Sequence, residues 1–414
     1  MSHDPPVSSP DPGPQASPGG ISTVGVPRET FPDERRVAVT PLAAAALAKA
    51  GLRVLIESGA GEAAGFPDDA YREKDAEIVS SREEAFGADV VVQVRTVGVN
   101  APGADRDLAL TRQGLVVVGL ANPLGSPEAA AMVAERGATL FALELLPRIT
   151  RAQGMDVLSS QATVSGYRAA LLAATQLPKM FPLLTTAAGT IAPARVLVLG
   201  AGVAGLQAIA TSRRLGAVVE AYDVRPAAAE EVKSLGARFV ELALETGDAQ
   251  DAGGYAKAQG EEFYTRQREL LAEVVANADA VITTAAVPGR PAPLLVTAAA
   301  VRGMAPGSVV VDMAAPQGGN CELTRPDETV VENGVTVLGP TNLPSMASHH
   351  ASLMFGKNVS SFLTYLIQEG RLREEPDDPI VSGTLVCRDG RVVNPAVQTA
   401  LEAARGAERQ EVTS

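Results

Sequence analysis

The sequence has little of the side-chain chemistry on which many enzymes depend. Its 414 residues include no Trp, three His and two Cys. A mechanism that needs a buried imidazole would have to use His349 or His350, since His3 lies near the N-terminus; the alternative for each is a satisfied or solvated side chain. Cys321 and Cys387 match no metal-ligand spacing and indicate reduced thiols in a cytosolic protein. We therefore expect no metal site.

Positive charge and long apolar runs are also scarce. The formal net charge is −13 and no Lys/Arg-rich run occurs, which disfavours nucleic acid and anionic membrane surfaces as partners. The longest charge-free apolar run, residues 196–212, is interrupted by three glycines and does not predict a membrane span. Residues 1–20 are rich in Pro, Ser and Gly and lack the features of a signal peptide, so we expect a disordered tail.

Small aliphatic residues are abundant instead. Hydrophobic residues make up 46% of the chain and aromatic residues 4%, which is typical of helices packed closely on sheets. Apolar strand patterns alternate with helical patterns from residue 21 onwards, and the length suits two domains. The sequence therefore predicts an α/β protein with two doubly wound parallel-sheet (Rossmann-like) domains and a cleft between them.

The first of these domains is expected to be discontinuous. A long helix from Ser348 and a hairpin over 380–393 follow the second domain and are predicted to cross back to the first. The predicted segments in chain order are the tail over 1–20, the first domain over 21–150 plus about 350–400, a cleft-lining connector over 151–165, an NAD-binding Rossmann domain over 166–349 and a frayed end over 401–414.

A phosphate-binding turn lies at the start of the predicted Rossmann domain. Residues 196–199 read as a buried strand, and Gly200, Gly202 and Gly205 then form G-x-G-x-x-G. We expect Gly200 to make the tight turn, Gly202 to let the backbone approach a pyrophosphate, and Gly205 to let the next helix pack on the strand. The N–H groups at the start of that helix supply the anion site.

The next strand ends in an acid that completes the dinucleotide fingerprint. Asp223 lies eighteen residues past Gly205, where a carboxylate can accept hydrogen bonds from both hydroxyls of an adenine ribose. The same carboxylate would repel a 2′-phosphate, so NAD(H) is favoured over NADP(H). Arg225 counts against this preference, because an arginine near the acid can bind the 2′-phosphate of NADP(H). The alternative is a βαβ unit that binds no dinucleotide. The residues predicted to bind NAD(H) are Gly200, Gly202, Val203, Ala204, Gly205, Asp223, Val224, Arg225, Tyr255, Ala285 and Asn342.

Two polar segments are candidates for covering this site. Residues 148–161 lie between the sheets and are unusually polar, so they are well placed to line the cleft; the alternative is an exposed connector with a helix N-terminus at Asp156. Residues 245–260 are Gly-rich, contain Tyr255 and suggest a mobile lid, or else a surface insertion with no role.

Several motifs together resemble one family. They are RAQGMDVLSSQ at 151–161, VLGAGVAGLQAIATSRRLGA at 198–217, AGGYAKAQGEEF at 252–263, ITTAAVPGRPAP at 282–293 and GGNCELT at 318–324. The chain resembles, from about Ile21 to Val393, the NAD(H)-binding domain of proton-translocating nicotinamide nucleotide transhydrogenase, in the form where this domain is a separate soluble alpha subunit.

The resemblance implies an activity, partners and residue roles. Arg148, Gln153, Asp156 and Ser159 would surround the nicotinamide and its ribose, and Tyr255 would belong to a mobile loop that closes over the nucleotide. Hydride would pass directly between NAD(H) here and NADP(H) on a domain of the beta subunit, in the Re/Si-specific enzyme. Proton translocation would occur in a membrane-spanning subunit. A homodimer in the cytoplasm, held peripherally at the inner face of the cell membrane, is also implied.

Two other functions remain open. Alanine dehydrogenase shares the architecture and requires an Arg, a Lys and a His for its keto acid. Arg36 matches the Arg, but Gln93 and Arg95 stand near the Lys position, and the His is replaced within VGLANP at 118–123. A non-catalytic NAD-binding protein would be indicated by erosion of residues 148–161, and that segment is intact.

Overall fold

The computed structural model describes residues 20–244, 260–286, 291–373, 375 and 377–411. The predicted tail, apart from Gly20, and the predicted lid segment with Tyr255 lie outside these ranges.

The N-terminal portion of the chain alternates strands and short helices. The strands are β1 Thr23–Val26, β2 Arg53–Glu57, β3 Glu77–Val79, β4 Val90–Arg95, β5 Val116–Leu120 and β6 Thr139–Ala142. The helices are α1 Pro41–Lys49, α2 Asp68–Arg72, α3 Arg82–Phe86, α4 Ala104–Leu110 and α5 Pro127–Glu135. Helix α1 begins at Pro41, because the Thr40 side chain accepts a hydrogen bond from the Ala43 N–H and Pro41 occupies the first helical position.

The middle of the chain starts with a 3-10 helix, Thr150–Met155, and a long helix, α6 Val157–Gln176. An exposed hairpin follows, β7 Leu184–Thr186 and β8 Gly189–Ile191, which the sequence analysis does not predict. The second set of strands is β9 Arg195–Leu199, β10 Val218–Tyr222, β11 Arg238–Phe239, β12 Ala280–Thr283, β13 Val309–Asp312, β14 Thr329–Glu332 and β15 Val335–Leu338. The helices among them are α7 Val203–Arg214, α8 Ala228–Ser234, α9 Glu261–Ala276 and α10 Ala298–Arg302.

The C-terminal portion of the chain contains one correction to the sequence prediction. Its elements are α11 Ser348–Leu366, β16 Ile367–Gln368, β17 Arg371–Leu372, α12 Pro379–Thr384, β18 Leu385–Arg388, β19 Arg391–Val392 and α13 Pro395–Glu411. The predicted hairpin over 380–393 is wrong in its first third, which is helix α12. Asp378 accepts from the Ile380 N–H and Pro379 follows it, and these residues start a helix. Helix α13 continues to Glu411, past the residue where fraying is expected to begin.

The described strands form two large sheets, which confirms the predicted α/β class. Their orders are β19-β18-β6-β5-β4-β1-β2-β3 and β11-β10-β9-β12-β13-β15-β14. The central strands are parallel in both, but β18 runs antiparallel to β6, and β14 runs antiparallel to β15. The antiparallel strands are therefore confined to the edges of the two predicted parallel sheets. An Asn333-Gly334 turn with positive φ at both residues joins β14 to β15, and that pair is a sequence signal for a hairpin.

Helix α11 packs back onto the first sheet. Phe355 and Phe362 of α11 are fully buried in the same core as Val24 and Phe141, and the Phe141 and Phe362 rings lie 5.9 Å apart. The first core is thus built from two separate stretches of the chain. The domain boundaries themselves stay a prediction. Among the helices that the structure describes, none is both long and apolar enough to cross a membrane.

Candidate functional site

A cavity of about 360 Å³ lies at the carboxyl ends of the central strands of the second sheet. Strand β9 lies between β10 and β12, so the chain order reverses here, and in open α/β sheets such a point is where ligands bind. The lining residues that the sequence predicts as site residues are Arg148, Ser159, Gly200, Gly202, Val203, Ala204, Asp223, Val224, Arg225 and Ala285. The fold therefore gathers most of the predicted site in one place, although the binding roles stay predictions.

The three glycines of the turn meet different surroundings. Gly200 has a φ of +97°, and a Cβ there would lie 2.7 Å from the Thr284 hydroxyl oxygen. A Cβ on Gly205 would lie 1.9 Å from the Gly200 carbonyl oxygen, a distance no side chain tolerates. A Cβ on Gly202 would meet no atom within 4 Å, so this position faces open space in the cavity. The turn, the close packing and the open cradle correspond to the three roles expected from the sequence.

The carboxylate of Asp223 accepts four hydrogen bonds from within the chain. One carboxylate oxygen accepts from the N–H and Nε of Arg225 at 2.8 and 2.9 Å, and the other accepts from the Ala201 N–H and Arg225 Nη2 at 2.7 and 2.9 Å. A carboxylate offers about four acceptor positions. A ribose diol can therefore bind Asp223 only if the Arg225 side chain moves off it.

Some residues of the polar connector over 148–161 line the cavity, and others do not. Arg148 and Ser159 line the cavity. Asp156 instead caps helix α6, because its carboxylate accepts from the Ser159 N–H and hydroxyl at 2.9 and 2.6 Å; a helix N-terminus at Asp156 is the alternative that the sequence leaves open. Gln153 is exposed on the 3-10 helix and does not line the cavity.

Two more predicted residues, Gly205 and Asn342, lie outside the lining. Gly205 packs behind the turn. Asn342 contacts Arg36 and Glu34, at 3.4 and 3.2 Å, rather than the cavity, because the loop after β15 is drawn toward the first sheet. Tyr255 is outside the described residues.

The cavity also contains residues that the sequence analysis misses. Gln267 of α9 is 2% exposed, and its Nε2 donates to the Tyr222 hydroxyl at 2.8 Å, while its Oε1 accepts no hydrogen bond from the described residues. Both residues line the cavity, and burial raises the pKa of Tyr222. A signal is present: Gln267 lies at helical spacing with the buried Leu271 and Val275, where an apolar residue is expected.

A second polar cluster joins the two sheets. Arg36, 4% exposed, pairs with Glu34 through two nitrogens at 2.8 and 2.6 Å, and its Nη1 donates to Gln161 Oε1 of helix α6 at 3.0 Å. Arg95 also donates to Glu34, at 2.8 Å. Burial alone would raise the pKa of Glu34, but the charges and hydrogen bonds of the two arginines outweigh it and hold the pKa at about 2.

This cluster makes a pH-dependent contribution to stability. The pKa of Glu34 is below its ordinary value of 4.5 in the folded protein, so the stabilisation is present above pH 4.5 and is lost as the pH falls toward 2. We expect Glu34→Gln to cost on the order of 3 kcal/mol at pH 7, because a buried arginine loses its charged partner. The difference between variant and wild type should shrink at about pH 2.5, close to the folded-state pKa. Calorimetry at both pH values measures it, and an equal difference at both would contradict the assignment.

His349 and the two Cys residues make contacts within the fold. His349 stacks on Phe66 with ring centroids 4.5 Å apart, and its Nδ1 lies 2.9 Å from the Ala64 carbonyl oxygen. Cys321 and Cys387 are free and buried, and burial raises the pKa of their thiols to about 11 and 12. Within the described ranges no three His, Cys, Asp or Glu residues are grouped to hold a metal ion.

The glycine turn, the acid after β10 and the cavity at the switch point define an α/β protein of the dinucleotide-binding class. Models of two known protein domains match the chain. Residues 25–165 match the alanine dehydrogenase/PNT N-terminal domain, and residues 169–395 match the alanine dehydrogenase/PNT C-terminal domain. The chain belongs to the alanine dehydrogenase/PNT family.

The individual relatives are of two kinds, transhydrogenases and alanine dehydrogenases. An NAD(P) transhydrogenase subunit alpha chain of Rhodospirillum rubrum is 44% identical over 90% of this chain and 98% of its own length. The crystal structure of a transhydrogenase from Sinorhizobium meliloti is 40% identical over 91% of this chain and all of its own, with a TM-score of 0.78. Alanine dehydrogenase of Bacillus subtilis is 27% identical over 90% of this chain and 93% of its own. These findings confirm the resemblance recognised in the sequence.

Proposed function

We propose that this chain is the NAD(H)-binding alpha subunit of a proton-translocating, Re/Si-specific NAD(P) transhydrogenase. The observation that carries the proposal is the cavity: its described lining includes Gly200, Gly202 and Asp223, but no His, Lys or Glu side chain. Hydride transfer between two nicotinamides moves no substrate proton, so it needs no acid–base pair. The names of the relatives at 40 to 44% identity support the same function.

The chain's own residues would act by binding and orientation. The open space at Gly202 fits a pyrophosphate, and the N–H groups at the start of α7 would donate to it. Asp223 would hold the adenine ribose, and Arg148 and Ser159 would contact the nicotinamide end. The nicotinamide supplies the hydride chemistry when bound. Holding that ring at near-attack distance from its acceptor is catalysis by positioning.

The proposal includes partners. An NADP(H)-binding domain of the beta subunit would present the second nicotinamide, and a membrane-spanning subunit would carry the protons. A second copy of this chain would complete a homodimer. The complex would hold the chain in the cytoplasm at the inner face of the cell membrane.

Two buried networks argue against amino-acid oxidation. Arg36 is committed to Glu34, Gln161 and Asn342, so its guanidinium is not available to a substrate carboxylate. Gln93 is 1% exposed, and its amide donates to Asp107 at 2.8 Å. Both groups serve the fold rather than a keto acid.

The test is to mix this protein with a separately prepared transhydrogenase NADP(H)-binding domain and follow reduction of an NAD⁺ analogue by NADPH. We expect turnover that depends on the partner domain, and none with alanine plus NAD⁺. Alanine oxidation would favour the dehydrogenase instead. Binding of NADH with neither activity would favour a non-catalytic NAD-binding protein.

Gln153→Ala should slow hydride transfer in this assay far more than it weakens NADH binding. The residue is exposed and lies outside the cavity lining, between Arg148 and Ser159, which are in it. We therefore expect Gln153 to affect how the two nicotinamides are placed for hydride transfer, and to affect the NADH affinity little. Single-turnover rates and NADH titration separate the two effects, and an unchanged rate would reject the role.

A further inference from the structure

The segment that carries Gln153 is a short 3-10 helix, Thr150–Met155. Two hydrogen bonds join it to the residues on either side: the Ala152 N–H donates to the Ile149 carbonyl, and the Asp156 N–H donates to the Gln153 carbonyl at 3.3 Å. Hydrogen bonds in a 3-10 helix have poorer geometry than in an α-helix, so such segments are rarely stable alone. Contacts with the rest of the protein must therefore determine where this segment lies.

Helix α11 provides the first of those contacts. Ala152 and Met155 are buried in the core to which α11 contributes. Between them, Asn358 Nδ2 of α11 donates to the Gly154 carbonyl at 2.9 Å. Asn358 is 8% exposed, and its Oδ1 accepts no hydrogen bond from the described residues. A buried amide is costly unless it is bonded, and the bond to the Gly154 carbonyl offsets only part of that cost.

Asp378 provides the second contact. One of its carboxylate oxygens accepts from Arg151 Nη2 at 2.8 Å and from the Ile380 N–H at 3.0 Å, and the other accepts from the Tyr365 hydroxyl. Its side chain is 2% exposed, whereas that of Arg151 is 52% exposed. A buried, hydrogen-bonded carboxylate thus holds a surface arginine in one position. Such a pair constrains the chain more than an ordinary surface ion pair does.

The two contacts bracket Gln153 in the sequence, at positions 151 and 154, and leave its own side chain exposed. Neither Asp378 nor Asn358 lines the dinucleotide cavity. We propose that Asp378 and Asn358 are positioning residues, which hold the 3-10 helix so that the Gln153 carboxamide is presented to the reacting nucleotides. The inference rests on the proposed function. Its consequence is that either loss slows hydride transfer without changing NADH affinity.

Asp378→Asn is the sharpest test. The carboxamide oxygen still caps α12 and the amide still meets Tyr365, but the charge that holds Arg151 is gone. We expect the single-turnover rate with the NADP(H)-binding domain to fall about 10- to 100-fold, because small misplacements of a positioning group have effects of this size. The NADH dissociation constant should change by less than about twofold. Hydrogen exchange of the peptide 149–157, followed by mass spectrometry, should become faster.

Two further variants make the test specific. Glu332 lies on the edge strand β14, outside the cavity lining, and forms an ion pair with Arg302. As a control, Glu332→Gln breaks this ion pair and should change none of the three readouts. Combining Asp378→Asn with Arg151→Gln should slow transfer no further than one substitution alone, because both remove the same contact.

Asn358→Leu removes the second contact while keeping the number of side-chain heavy atoms and the branched shape, and it should reproduce the slow transfer. Unchanged rates in both Asp378→Asn and Asn358→Leu, or an NADH affinity that falls as much as the rate, would overturn the proposal. If hydrogen exchange of the peptide 149–157 is unchanged in Asp378→Asn, then Asp378 does not hold the 3-10 helix in place, whatever happens to the rate of hydride transfer. If Gln153→Ala leaves the rate unchanged while exchange rises in Asp378→Asn, the failure lies in the proposed role of Gln153.

Discussion

Replacing Asp223 by Ala is expected to reverse the preference of this protein between NADH and NADPH. The substitution removes the acceptor for the ribose hydroxyls, and two hydrogen bonds to a charged group correspond to about 100-fold or more in affinity for NADH. It also removes the negative charge that repels a 2′-phosphate, and with it two of the side-chain hydrogen bonds that Arg225 makes, both to Asp223. NADPH binding should therefore improve by about tenfold.

Fluorescence titration with both nucleotides measures this reversal, and two variants control for it. Glu220→Gln changes an acid on the same strand that pairs with Arg238 and Arg195 and does not line the cavity, so it should leave both affinities unchanged. Arg225→Ala should weaken NADPH and leave NADH as tight or tighter, because no guanidinium has to leave Asp223. A ratio of affinities that Asp223→Ala does not alter would show that this acid does not select the nucleotide.

The second large effect separates two glycines of the same turn. Gly202→Ala should leave the folded protein intact, since the added methyl meets no atom within 4 Å, yet it should weaken NADH at least about 100-fold because the methyl occupies the pyrophosphate position. Gly205→Ala should instead destabilise the protein by roughly 1 to 3 kcal/mol or more, since its Cβ would lie 1.9 Å from the Gly200 carbonyl oxygen.

Calorimetry and NADH titration on the two variants distinguish these expectations. An unaltered melting temperature with lost binding is expected for Gly202→Ala, and a lowered melting temperature for Gly205→Ala. If Gly202→Ala binds NADH normally, the pyrophosphate does not lie at this turn, and the cavity must serve another ligand.

Much of the fold can be predicted because the signals are local. The strand-turn-helix of residues 196–214 follows from a β-branched run, three glycines and helical spacing, all within a few turns of the chain. Two elements are not predicted although a local signal marks each. Asn333-Gly334 marks the turn that follows the edge strand β14, and Asp378-Pro379 marks the start of helix α12. At α12 the apolar pattern of the following residues favours a strand, and the capping residue before the proline outweighs it.

The site is predictable to a lesser degree. Asp223 and the glycines follow from a fingerprint whose spacing is set by one βαβ unit. Gln267 does not, because only the packing of α9 on β10 brings its amide to the Tyr222 hydroxyl. Arg36 is the most ambiguous residue in the sequence, since the same arginine can bind a substrate or a neighbouring carboxylate.

By itself, the sequence determined the α/β class, the dinucleotide turn, the preference for NAD(H) expected from Asp223 and the resemblance that the family models confirm. These depend on residues within about one βαβ unit of each other, where the chain's own geometry sets the distances. Only the tertiary structure decided that Arg36 is held by Glu34 and Gln161, that Asn342 faces the first sheet, and that Asp378 holds Arg151. Those contacts join residues far apart in the chain, and their partners are chosen by how the two sheets and α11 pack.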